Sequence, residues 1–194
     1  IARNADDSRL LDGVILITDD TDYVNIYKRE SNSKDITENY IRPKNIAQDQ
    51  SLPHEYIFDV LDFLKNQNIV VKNIVLLQVT SPLYSYNDID NAIIKFKNSD
   101  KKTLVSVCEP IQHPSDMIYS ENEKLIIQKK NSNRQDYTQF FFENGCIYIS
   151  ELDEFLNTSN FLNENTELFK MNIQSGIDVD NDFDLTILNK LLEK

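Results

Sequence analysis

The apolar run Ile74-Val75-Leu76-Leu77 halts at Gln78 and a Thr80-Ser81-Pro82 turn, and a helix-like pattern opens at Asn87-Asp88-Ile89. The run is rich in β-branched residues and too short for a helix, so it predicts a buried strand over 74–78, a polar turn, and a helix over 87–97. That layout sets the turn's side chains at the carboxyl edge of a parallel sheet, where α/β proteins bind ligands. Gln78 is therefore the first residue expected to face a substrate.

The same alternation continues along the chain. Residues 1–12 read as the tail of a helix leading into a buried strand at 14–18, followed by Asp19-Asp20 and a short helix near 21–28. Residues 31–41 are polar, a mix of loop and edge strand. Pro53 can open a helix, and Ile57, Val60, Leu61 and Leu64 give it an apolar stripe up to residue 67. A strand is expected at 103–108. Segments 117–119 and 125–128 flank Glu121-Asn122-Glu123-Lys124 as a hairpin. A strand at 145–149, a short helix at 152–156, a last strand at 168–173 and an amphipathic helix over 182–192 complete the pattern. Strands alternating with helices predict an α/β three-layer sandwich, its mostly parallel sheet covered on both faces. A length of 194 residues suits one domain, 1–194.

Composition narrows the functional classes. Thirty-two acidic against 20 basic residues give a net charge of −12, which argues against a general nucleic-acid binder but leaves room for a small anion held by local bases and a metal. No apolar run approaches the length of a membrane span. Cys108 and Cys146 sit inside apolar segments, as buried thiols of a reducing, cytoplasmic setting would, and have no zinc-type spacing. Glycines stand only at 13, 145 and 176, so no Gly-rich phosphate loop lies within these residues.

Several residues carry alternatives on chemistry alone. Asp178 and Asp180 could turn both carboxylates to one cation, or acids of this stretch, Asp180 and Asp182, could cap the helix that follows; the spacing by itself favours capping. Arg42, held extended by Pro43, is a loop arginine or a planar donor fork. Arg134 is either part of a solvated basic run with Lys129 and Lys130 or a bidentate carboxylate grip. Thr80 and Ser81 read as turn caps, Gly145 as a bulge or a close ligand approach, and Phe140-Phe141-Phe142 as core and interface. Neither His54 nor His113 has a partner at a catalytic spacing; His113 is expected to order the loop around Pro114.

Seven motifs in order resemble the acylneuraminate cytidylyltransferase family: Ile17-Thr18-Asp19-Asp20; Ile41-Arg42-Pro43 with Ala47-Gln48-Asp49; Leu76-Leu77-Gln78-Val79-Thr80-Ser81-Pro82-Leu83; Ser106-Val107-Cys108 with His113-Pro114; Arg134-Gln135; Asn144-Gly145-Cys146-Ile147-Tyr148-Ile149; and Gly176-Ile177-Asp178-Val179-Asp180. The resemblance implies a Rossmann-like sandwich of the nucleotide-diphospho-sugar transferase type. It implies transfer of CMP from CTP to a nine-carbon α-keto acid sugar (sialic, legionaminic or pseudaminic acid) with release of pyrophosphate and use of Mg²⁺. It also implies a homodimer, with 114–138 as the dimerisation hairpin.

By the same resemblance Asp178 and Asp180 hold the metal, and with Gln78 and Arg134 form the catalytic set. Arg42 and, more weakly, Asp49 and Ser51 bind the nucleotide; Gln78, Arg134, Asn144, Tyr148 and Phe161, with Leu162, bind the sugar. Asp182 and Asp184 stay with the helix. The chain departs from the family pattern at Val79 (usually Pro), Tyr84 (usually Arg) and Ser115 or Asp116 (usually basic). The family's first strand and phosphate-binding turn would lie before Ile1, so the domain is expected to be N-terminally incomplete. A second reading follows: a member that dimerises and binds sugar or nucleotide without turnover.

Overall fold

A computed structural model describes residues 1–30, 34–36, 40–114, 117–121, 124–127 and 138–193. Its elements in order are α1 (Ala2–Asp7), α2 (Thr21–Glu30), α3 (Pro53–Asn66), β1 (Asn73–Leu77), α4 (Tyr86–Lys97), β2 (Thr103–Cys108), β3 (Ile118–Glu121), β4 (Lys124–Ile127), β5 (Phe142–Glu151), α5 (Leu152–Thr158), β6 (Thr166–Lys170) and α6 (Asp182–Leu192). Among the described residues no helix is long and apolar enough to cross a membrane.

Four strands form the main sheet in the order β1-β5-β2-β6. β5 is antiparallel to both β1 and β2, while β2 and β6 pair in parallel. Three strands thus run one way, as expected, and β5 runs against them between β1 and β2. The starting end of β5 therefore meets the carboxyl ends of β1, β2 and β6.

Side-chain alternation explains the layers. Val75, Leu77, Leu104, Ile147, Ile149 and Phe169 pack with Ile89, Ala92, Ile93 and Phe96 of α4. The intervening residues Ile74, Leu76, Val105, Val107, Tyr148 and Leu168 pack with Ile57 of α3 and Phe155 of α5. Every residue of β2 is buried, which needs apolar neighbours on both faces of the sheet. Covering the two faces removes a large apolar area from water, worth about 25 cal/mol per Å².

Local chemistry sets the helix ends. Pro53 occupies the first turn of α3, where its missing N–H costs nothing, and the Leu52 N–H donates to Glu55 Oε2 at 2.7 Å. Asp88 accepts from both the N–H and the hydroxyl of Ser85 at the start of α4. The hairpin β3–β4 forms a separate two-stranded sheet with Ile118 opposite Ile127. His113 Nε2 meets the Thr138 carbonyl at 3.0 Å, tying together the two ends of the 114–138 segment.

The structure differs from expectation at three places. Residues 14–18 form no strand: Val14 makes one isolated bridge to Asp35, and Ile15 and Ile17 instead pack against Tyr40, Val60 and Leu64 on the far side of α3. Apolar burial alone, without a ladder partner, produced the strand-like pattern. The last strand ends at Lys170 rather than 173, because the chain turns through a short 3-10 segment at Ile173–Gly176. Of the aromatic triple, Phe141 packs on the core, whereas Phe140 and Phe142 are 42% and 53% exposed.

Candidate active site

The antiparallel strand β5 carries the irregularity on which the site is built. Val105 lies opposite Tyr148, yet Val107 lies opposite Glu143, so two steps along β2 span five along β5. The excess residues bulge out around Gly145, whose φ of +69° is a conformation that costs glycine little. Ser106 and Asn144 fill the space beneath: the Ser106 hydroxyl donates to Asn144 Oδ1 at 2.6 Å and accepts from the Ile147 N–H at 2.8 Å.

Three chain segments converge on the bulge. A Cβ at Gly145 would stand 3.1 Å from Gln78 Oε1, 3.2 Å from Ser81 Oγ and 3.9 Å from Asp178 Oδ2. Ser81 is fully buried, and its hydroxyl lies 3.2 Å from the Asn144 carbonyl and 3.3 Å from Asp178 Oδ1. It serves as a post joining three segments and does not cap its own turn. The neighbouring Thr80 carbonyl accepts from the Val179 N–H at 2.8 Å, clamping the 178–180 segment against the turn after β1.

A cleft of about 320 Å³ opens beside this junction, lined by Gln78, Glu143, Tyr148, Phe161 and Leu162, with His54 from the first turn of α3. Tyr148 and Phe161 have ring centroids 5.6 Å apart. The Tyr148 hydroxyl donates to Glu143 Oε1 at 2.9 Å. Burial first, and then the Glu143 carboxylate, hold this phenol above its ordinary pKa, so it stays protonated.

Asp178 and Asp180 stand apart from helix capping. Asn181 is the N-cap of α6, its side chain accepting from the N–H groups of Phe183 and Asp184. Asp184 completes the box by accepting from the N–H groups of Asp180 and Asn181. The capping expected of Asp180 and Asp182 is carried out by Asn181 and Asp184. Among the described residues no group of three or more His, Cys, Asp or Glu side chains could hold a metal. A Mg²⁺ ion that arrives with substrate phosphates and water needs only one or two protein carboxylates.

Arg42 is not among the residues that line this cleft. Its backbone N–H donates to the Thr18 carbonyl, its guanidinium reaches Asp19 at 3.4 Å, and it sits 5.7 Å over the Tyr56 ring. Its buried Nε has no hydrogen-bond partner among the described atoms. Tyr56 in turn packs on the cluster that includes Tyr148 and Phe161, which links the arginine to the cleft wall. Asp20 caps α2 through the Asp22 N–H. The Ser51 hydroxyl accepts from the Gln48 N–H at 3.0 Å, next to cleft-lining Leu52.

Gln78, Tyr148, Phe161 and Asp178 are thus brought together, while Asp180, two residues further along the chain, is exposed. Asn144 lies at the same place, but its side chain is 1% exposed and bonded inward, so its carboxamide supports the bulge and does not face the cleft. Arg134 lies outside the described residues. Tyr84, in place of the family's arginine, is 3% exposed within the core. Glu143 and His54 line the cleft although nothing in their sequence spacing singled them out; the Asn144-Gly145 pair was the one signal for Glu143.

An α/β sandwich with polar groups gathered at the carboxyl edge of its sheet is the nucleotide-diphospho-sugar transferase type of fold. A solved 4-diphosphocytidyl-2C-methyl-D-erythritol synthase from Anaerococcus prevotii shares it, with a TM-score of 0.62 at 12% identity over 95% of this chain and 83% of that one. Among curated proteins, an N-acylneuraminate cytidylyltransferase of Streptococcus agalactiae is 30% identical over 145 residues, 72% of this chain and 34% of the relative. A pseudaminic acid cytidylyltransferase of Campylobacter jejuni is 22% identical over 187 residues, 94% of this chain and 78% of the relative. No family model matches. Over most of its own length the chain is thus similar to N-acylneuraminate and pseudaminic acid cytidylyltransferases. It spans about a third of the length of the streptococcal relative.

Proposed function

We propose that this protein transfers CMP from CTP to a nonulosonic acid, forming the CMP-sugar and pyrophosphate. The observation that carries this reading is the meeting of Gln78, Gly145 and Asp178 beside the cleft lined by Tyr148 and Phe161. The names of the relatives supply the reaction class.

The sugar occupies the cleft with its hydroxyls on the Gln78 carboxamide, which both donates and accepts, and its acyl methyl against Phe161 and Leu162. Arg42 and Ser51 serve the nucleotide, the planar guanidinium being suited to base and ribose acceptors. Arg134 grips the sugar carboxylate. Asp178 and Asp180 hold Mg²⁺, which when bound neutralises phosphate charge and stabilises the leaving pyrophosphate. Ser81 fixes the Asp178 carboxylate, and the buried Asn144 keeps the bulge rigid beside it. The anomeric hydroxyl attacks the α-phosphorus in line with the departing pyrophosphate, so rate is gained by positioning and charge stabilisation. The hairpin at 114–138 joins two copies in a homodimer.

The test is pyrophosphate release from CTP and Mg²⁺ with a panel of nonulosonic acids. Release that depends on one of these acids supports the reading. A folded protein that releases none with any of them overturns it.

A further inference from the structure

Glu143 and Tyr148 form the part of the cleft that the reaction as described leaves unused. They are five positions apart in sequence, so on a regular strand their side chains would point to opposite faces. Between them β5 takes five steps where their partners Val107 and Val105 on β2 are two apart, and this odd excess restores both to one face. Both then line the cleft next to Phe161 and Leu162.

Their hydrogen bond has a direction with chemical consequences. A phenol has one hydrogen, and that of Tyr148 is spent on Glu143 Oε1 at 2.9 Å. What the pair can offer a ligand is therefore the phenol lone pairs and the remaining carboxylate oxygen, all acceptors, with a negative charge. A ligand carboxylate is repelled there, and a ligand N–H is bound. An acylamino group has the matching two ends: an N–H donor for the carboxylate and an apolar methyl for the neighbouring aromatic wall.

Resting on the cytidylyltransferase reading, we propose that Glu143 is a specificity-determining residue, binding the N–H of an acylamino substituent and thereby orienting the sugar with its own carboxylate turned away. Tyr148 is the positioning residue that holds Glu143 in place.

The experiment is a residue-by-substituent cycle read by calorimetric binding, which needs no turnover. An N-acylated nonulosonic acid and its analogue with hydrogen in place of the acylamino group are titrated into wild-type protein, Glu143→Gln and Glu143→Leu, with CTP affinity measured alongside. Glu143→Leu should weaken the acylated acid about tenfold or more while leaving the analogue and CTP within twofold, as loss of a charged hydrogen bond implies. Glu143→Gln, nearly the same shape, should show a smaller loss in the same direction. Equal loss for both acids, or none for either, overturns the inference even if pyrophosphate is released. The expected coupling without any pyrophosphate release sustains it and sinks the transfer reaction instead. Failure of wild-type protein to bind either acid at millimolar concentration overturns both.

Discussion

Ser81 and Asp178 stand 97 residues apart in sequence and 3.3 Å apart in space, hydroxyl oxygen to carboxylate oxygen. Because Ser81 also lies 3.2 Å from the Asn144 carbonyl, one buried hydroxyl registers the turn after β1, the bulge of β5 and the segment carrying the paired carboxylates. Ser81→Ala should cost about 1–3 kcal/mol, since buried acceptors lose their donor. It should also raise the Mg²⁺ concentration needed for half-maximal pyrophosphate release. Urea unfolding and a Mg²⁺ titration check the two halves; a variant unchanged in both would remove Ser81 from the site's support.

Gly145 should tolerate no side chain. Alanine there faces a positive φ together with Gln78 Oε1 at 3.1 Å and Ser81 Oγ at 3.2 Å. A loss of about 1–3 kcal/mol is expected from the backbone alone. Displacement of Gln78 should raise KM for the sugar acid several-fold, measured against an unchanged KM for CTP.

The carboxylates separate by role. Asp180→Asn, an exposed change outside caps and cores, should leave urea stability within about 0.5 kcal/mol, as should Asp178→Asn, which keeps the oxygen that the Ser81 hydroxyl faces. Both should lower kcat by about a hundredfold or more. Asn181→Ala should do the reverse, costing about 1 kcal/mol through the lost N-cap while activity at low temperature persists. Stability and initial rates measured on the same preparations decide it. Stability loss in the first pair with activity intact would reassign those aspartates to the fold.

Alkaline pH should destabilise the protein through its buried acids. Burial pushes the Cys146 thiol up to about 12 from an ordinary 9.0, with the thiol donating to the Ser175 carbonyl at 2.9 Å. Between those values the unfolded chain releases this proton and the folded one retains it, so stability falls as pH rises, by up to about 1.4 kcal/mol per pH unit for this group. Below pH 9 the group contributes no pH dependence. Tyr84 and Tyr148, raised chiefly by burial, add to the trend further up. Urea unfolding from pH 8 to 11 should show a shallower decline for Cys146→Ala than for wild type; parallel declines would refute the assignment. Native Cys146 should also resist alkylation at neutral pH.

Much of the fold was legible because local pattern and long-range packing agree. The stripe of Ile57, Val60 and Leu64, the run of 103–108 and the amphipathic pattern of 182–192 each act within a few residues, and the helices and strands form there. At 14–18 the pattern recorded burial correctly, but burial does not require a ladder, and Ile15 and Ile17 found theirs against a helix.

The residues by themselves determined the alternation of strands and helices and the placing of Gln78 at a strand's end, because hydrophobic periodicity and short-range sterics are written in neighbouring positions. Only the tertiary structure decided that β5 runs against its neighbours, that its bulge turns Glu143 and Tyr148 to one side, and that Asn144 faces inward. Those outcomes depend on which distant strand supplies the hydrogen bonds, and a linear pattern with a period of two cannot register an odd insertion until the partner strand is known.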